Sequence, residues 1–193
     1  MDHDTPHSRD FDASAALHVG RGEDFSDTFC EPLAMTSAYT FASARDAWEK
    51  FTGQQPGNVY SRFTNPTVRA FERRIASLEG AEDAAAFASG MGAIAGLCQA
   101  LLSQGENIVC SRDVFGTTLS ALRNYMGRFG VEVRLVELTD LDAWQRNIDS
   151  RTRLVLLESP TNPMLEVADL PEILAGIRRL GVLSCVDSTF TTP

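Results

Sequence analysis

Leu154-Val155-Leu156-Leu157, then Leu170 to Leu180, then Val182-Leu183-Ser184-Cys185-Val186 read in succession as a short apolar strand, an amphipathic helix and a second apolar strand. An apolar strand joined to the next through a helix is the unit of a parallel sheet, because parallel neighbours need a long crossover connection. Moving outward, Asn107 to Cys110 and Val131 to Leu138 are further strands, and Thr117 to Phe129 and Leu141 to Ile148 further helices. The alternation predicts an α/β fold, a mostly parallel sheet with helices on both faces. Val182 to Val186 reads as a central strand.

Upstream, Asn65 is placed to cap a helix whose first turn takes Pro66, whose stripe is Val68, Phe71, Ile75 and Leu78, and which Gly80 ends. Ala84 to Ala88 is expected as a buried strand, turning through Ser89-Gly90-Met91-Gly92 into a helix with Ile94, Leu97, Cys98 and Leu101 inward. Residues 1–60 form an arm with one short helix, Ser43 to Phe51, and a loop, Gly53 to Asn58; residues 61–193 form one domain.

The 193 residues are 44% hydrophobic and 22% charged, which suits a chain with a core. A net charge of -9 disfavours nucleic-acid and anionic-membrane partners and leaves a small molecule as the expected ligand. The polar opening from Met1 to Ser14 lacks the apolar region of a signal peptide, so a loose tail and a cytoplasmic location are expected. Cys30, Cys98, Cys110 and Cys185 lie far apart, and most sit in apolar runs, as buried reduced thiols do. His3, His7 and His18 all fall in the first twenty residues, so the body of the chain has no imidazole for a triad or a metal cage.

Three features together describe a phosphate site with an acidic partner. Backbone amides after Ser89 can cradle a phosphate, Arg62 can pair with one bidentately, and Asp187, at a strand end, suits a protonated ring nitrogen. Each also has a plain reading, as a packing turn or a helix cap. Gly90-Met91-Gly92-Ala93-Ile94-Ala95 fits the dinucleotide fingerprint as well, with Asp113 downstream, so a nicotinamide-binding module is a rival.

Tyr60-Ser61-Arg62 with Asn65-Pro66-Thr67, Ser89-Gly90-Met91, Glu158-Ser159-Pro160-Thr161-Asn162-Pro163 and Val186-Asp187-Ser188-Thr189-Phe190 together resemble the pyridoxal-phosphate enzymes of cysteine and methionine metabolism. The resemblance covers nearly the whole chain from about residue 15 and implies the fold type I (aspartate aminotransferase) architecture of PLP transferases. It also implies cofactor-binding roles. Ser89, Gly90 and Met91 would meet the cofactor phosphate, while Tyr60 and Arg62 would reach the phosphate of a neighbouring subunit in a homotetramer with shared sites. Asp187, with Thr189 beside it, would hold the pyridine nitrogen protonated, Asn162 would sit near the phenolic oxygen, and Phe115 would stack on the ring.

Many members carry a tyrosine where this chain has Phe115, which can stack but cannot donate a proton. That pattern, with Pro56-Gly57-Asn58-Val59-Tyr60, looks most like the O-succinylhomoserine sulfhydrylase branch. The implied reaction is γ-replacement, with an acyl-homoserine and sulfide giving homocysteine. Cystathionine γ-synthase and the cystathionine or methionine γ-lyases would share every motif, and a non-catalytic remnant is a further alternative. The family carries a Schiff-base lysine downstream of the Asp187 strand, whereas this chain has one lysine, Lys50, on the polar helix of the arm, where a solvated role is expected. The chain therefore reads as the N-terminal part of such an enzyme, without its catalytic lysine and C-terminal domain, and inactive alone.

Overall fold

The computed structural model describes residues 13–19 and 30–191; His3, His7, most of the expected tail and Thr192-Pro193 lie outside them. Chain contacts divide it into two compact units, one up to Ala86 and one from Phe87 to Thr192.

Among the described residues the first unit holds three helices, α1 (Ala13–His18), α2 (Ala44–Phe51) and α3 (Pro66–Glu79). The expected cap operates at α3: Asn65 Oδ1 accepts from the amides of Thr67 and Val68, and Gly80 closes the helix at φ 62, where a side chain would be strained. Thr67 and Asn65 also hold the chain at Ala34, the Thr67 hydroxyl accepting from its N–H at 2.9 Å and the Asn65 amide donating to its carbonyl at 2.9 Å. Arg74 donates to the Val19 carbonyl at 3.0 Å and pairs with Glu31.

The second unit is a four-stranded parallel sheet, β1 (Asn107–Ser111), β2 (Glu132–Val136), β3 (Thr152–Glu158) and β4 (Leu183–Asp187), in the order β2-β1-β3-β4. Its helices are α4 (Gly90–Leu101), α5 (Gly116–Ala121), α6 (Leu141–Arg146) and α7 (Leu170–Arg179). Alternation along β1 and β3 assigns the faces. Val109, Val155 and Leu157 pack with Trp144, Ile173 and Ile177 of α6 and α7. Ile108, Cys110, Leu154 and Leu156 pack with Cys98 of α4 and with Leu122 and Met126 after α5. Each fully buried side chain of this size is worth about 1.5–3 kcal/mol, which is why strands covered on both sides carry unbroken apolar runs.

Three expectations change. Ala84 to Ala88 is extended but is no strand, and all of it except Ala84 is exposed. The run is apolar enough for a strand, yet among the described residues no strand pairs with it: the Ala84 and Ala86 N–H groups donate to the side chains of Asp83 and Glu72 at 2.8 and 2.9 Å, and the Phe87 ring lies over Gly96, where a Cβ would come within 2.7 Å of it. β4 stands at the sheet edge rather than at its centre, with Leu183 58% exposed. The expected helix from Thr117 to Phe129 changes pitch, running from α5 into a π-turn at Leu122–Met126 and a 3-10 turn at Gly127–Phe129. Gly130 at φ 77 then ends it.

Candidate cofactor site

From β1 the chain passes outward to β2, and from β3 it passes the other way to β4, so the winding reverses between β1 and β3. At such a point the loops leaving the two strands part, and a crevice opens at their carboxyl ends. A cleft of about 220 Å³ lies there, lined by Gly90, Met91, Phe115, Glu158, Asn162 and Asp187 among others.

Each element brings one kind of chemistry. Ser89, in an extended conformation, caps α4 by accepting from the Gly92 N–H at 3.0 Å. The amides of Gly90 and Met91 precede the first intrahelical bonds and remain as donors at the positive end of the helix dipole. Met91 is held from behind by the buried Thr118, whose hydroxyl donates to its sulfur at 3.6 Å. Phe115, at the start of α5, is 42% exposed and turns an aromatic surface to the cleft.

The loop after β3 is tied down on itself. Ser159 and Thr161 are buried, the Ser159 hydroxyl accepting from the Ala168 N–H at 3.0 Å and the Thr161 hydroxyl from the Glu166 N–H at 3.0 Å. Asn162, the next residue after Thr161, lines the cleft. Asp187 ends β4, and its Oδ1 accepts from both the amide and the hydroxyl of Thr189, leaving Oδ2 for a ligand.

The structure thus gathers Gly90, Met91, Phe115, Asn162, Asp187 and Thr189 around one cleft, with Ser89 capping the helix that forms its wall. Tyr60 and Arg62 lie on the first unit, where the exposed Arg62 guanidinium stacks over the rings of Tyr60 and Phe63 at 5.5 and 5.0 Å. Lys50 is not solvated as expected: its side chain is only 20% exposed, paired with Asp46 at 3.0 Å and set 5.8 Å over Phe41. Glu158 is the ionisable lining residue that sequence reasoning left without a role. It is 4% exposed, and its carboxylate accepts from the Phe115 and Asn162 backbone amides, the latter at 3.0 Å. Burial pushes its carboxyl up, the two amide bonds oppose that, and Asp187 adds to it. The signal for it was an acid ending a strand of otherwise apolar residues, a costly placement unless paired.

Residues 13–193 match the family described as Cys/Met metabolism PLP-dependent enzyme. The chain belongs to this family. O-succinylhomoserine sulfhydrylase of Pseudomonas aeruginosa is 48% identical over 178 residues, covering 92% of this chain and 44% of that protein. L-methionine gamma-lyase of Pseudomonas putida is 36% identical and covers 94% of this chain and 46% of its own length. A crystal structure of putative O-acetylhomoserine (thiol)-lyase from Campylobacter jejuni, containing N'-pyridoxyl-lysine-5'-monophosphate, superposes with a TM-score of 0.85 at 31% identity. That match covers 91% of this chain and 43% of the other. The chain spans a little under half the length of these relatives. Family membership removes the nicotinamide reading, and the geometry agrees, since the dinucleotide fingerprint needs a strand before its glycine turn and residues 84–88 supply none.

The cleft suits the family's cofactor on its own evidence. It has amide donors for a phosphate at one wall, an aromatic surface for a flat ring, and a carboxylate oriented by its neighbour for a protonated nitrogen.

Proposed function

We propose that this chain supplies the cofactor-binding part of a γ-replacement enzyme that converts an acyl-homoserine, O-succinylhomoserine foremost, and sulfide to homocysteine. The observation that carries the reading is the cleft at the winding reversal, with the start of α4, Phe115 and Asp187 around it, in a chain 48% identical to an O-succinylhomoserine sulfhydrylase.

Bound pyridoxal phosphate supplies an electron sink for carbanions next to its ring. The Gly90 and Met91 amides hold the phosphate against the positive end of α4. Asp187 keeps the ring nitrogen protonated, and Thr189 holds that carboxylate in place. Asn162 donates toward the phenolic oxygen, and Phe115 stacks on the ring. Having no hydroxyl, Phe115 moves no proton, so acid-base work falls to other groups. Tyr60 and Arg62, exposed on the first unit, serve the phosphate of a neighbouring copy in a homo-oligomer.

Equilibrium dialysis with pyridoxal phosphate, read also by visible circular dichroism of the bound ring, tests the site. The chain should bind the cofactor, and Asp187→Ala should abolish the induced signal; a chain that binds none overturns the reading. With Lys50 its single lysine, held in an ion pair, the chain by itself should form no homocysteine from O-succinylhomoserine and sulfide.

L-methionine gamma-lyases at 32 to 36% identity support elimination as a second reading. Supplied with methionine, an enzyme containing these residues would then release methanethiol, whereas a sulfhydrylase would release none.

A further inference from the structure

Glu158 is an expensive residue to place where it is. The side chain is 4% exposed and sits in register beside Asp187, so two carboxylates end adjacent strands. A glutamine of the same shape would avoid both the desolvation and the repulsion. What a glutamine lacks is a second acceptor. The Glu158 carboxylate uses both oxygens, Oε2 for the Phe115 N–H and Oε1 for the Asn162 N–H. Those two amides belong to different loops, one leaving β1 and the other leaving β3, on opposite sides of the winding reversal. With glutamine, one amide would face an NH2 group, donor against donor.

We propose that Glu158 is a positioning residue, a latch across the crevice whose two oxygens fix the spacing of Phe115 and Asn162 and so set the grip on the ring. The proposal rests on the cofactor reading above. The β3 loop carries its own ties through Ser159 and Thr161, so the part most dependent on the latch is the Phe115 loop, where Glu158 reaches from β3 to a backbone 43 residues away. An aspartate, one methylene shorter, cannot span both amides from the same strand end, so charge alone does not restore the latch.

Pyridoxal phosphate is the probe. Wild type, Glu158→Gln and Glu158→Asp are compared for cofactor dissociation constant, visible circular dichroism of the bound ring, melting temperature and amide hydrogen exchange. Both variants should bind the cofactor about tenfold more weakly, the size expected when one charge-assisted hydrogen bond of the scaffold is lost. The induced signal should change in shape as well as strength, because the stacked ring loses its fixed angle to Phe115. A purely structural role would lower the melting temperature and leave the spectrum of the bound ring unchanged, and that result overturns the proposal, as does cofactor affinity equal to wild type in both variants. Should the variants fail to fold, wild type decides. The Phe115 and Asn162 amides must exchange as slowly as the β1 and β3 ladder, and free-loop exchange at either refutes the latch. Absence of binding by wild type itself would overturn the cofactor reading, and this proposal with it.

Discussion

Asn107→Ala should cost stability and leave the site untouched. Asn107 opens β1 at the amino ends of the strands, away from the cleft, and is fully buried. Its amide donates to Asp149 at 2.9 Å, and its carbonyl accepts from the Thr152 hydroxyl at 2.7 Å; that hydroxyl also accepts from the Asp149 N–H at 2.9 Å, but as a donor it has only a 3.4 Å alternative, on Asp149 Oδ1. Truncation removes both bonds, leaves the hydroxyl proton a long and poor acceptor, and opens a small void, a loss of about 2–4 kcal/mol. For a chain of this size each kcal/mol moves the melting temperature by roughly 2–4 °C, so a fall of about 5–15 °C is expected by differential scanning calorimetry.

The pH dependence gives a second handle. The Asp149 carboxyl is held well below the usual carboxylate range, first by the Asn107 amide, then by the Arg151 backbone N–H and the Arg134 guanidinium. A carboxyl lowered on folding adds stability above its unfolded pKa of about 3.9, and that stability is lost as pH falls through the folded value. Removing the largest cause should therefore make the mutant's deficit greatest at neutral pH and smaller in acid. A fall under about 2 °C, a deficit that grows in acid, or weaker cofactor binding in a chain still folded would refute the reasoning.

Phe115→Ala should weaken pyridoxal phosphate binding about three- to tenfold in equilibrium dialysis, the worth of one aromatic stack, while Phe115→Tyr should bind as wild type does. Burial pushes the Cys98 thiol up to about 11 and the Cys110 thiol up to about 12, and also raises Cys185, whereas Cys30 is exposed. A thiol-disulfide reagent at mildly alkaline pH should thus label one of the four cysteines quickly and all four after denaturation.

What was legible in the sequence follows from where the information resides. Helix α3 could be read because its signals are local, a cap at Asn65, a proline in the first turn and a left-handed glycine at its end. The parallel sheet could be read because its inner strands, β1 and β3, are buried on both faces and carry apolar runs with no polar alternation to blur them. Residues 84–88 could not, since an apolar run states a wish for neighbours without saying whether any are there. β4 was misplaced for the same reason: Leu183 to Asp187 reads the same at an edge as at a centre. The π-turn at Leu122–Met126 comes from helix packing, which no periodicity announces. Of the candidate site residues, the glycine turn at the start of α4 and the strand-end Asp187 stood out as motifs. Glu158 opened the Glu158 to Pro163 stretch without a role, because one of its two partners is the amide of Phe115, 43 residues away, and only the winding of the sheet brings the two together.

The charges around the cleft have a directional consequence. The amino end of α4 makes one part of the lining electrically positive, while Glu158 and Asp187, side by side at the ends of β3 and β4, bring carboxylates to another part. The cleft therefore has a built-in electric axis before any contact forms. A ligand with an anion at one end and a cation at the other enters that field as a compass needle does, turned to its working orientation while still a solvent layer away. The reversed pose meets like charge at both poles.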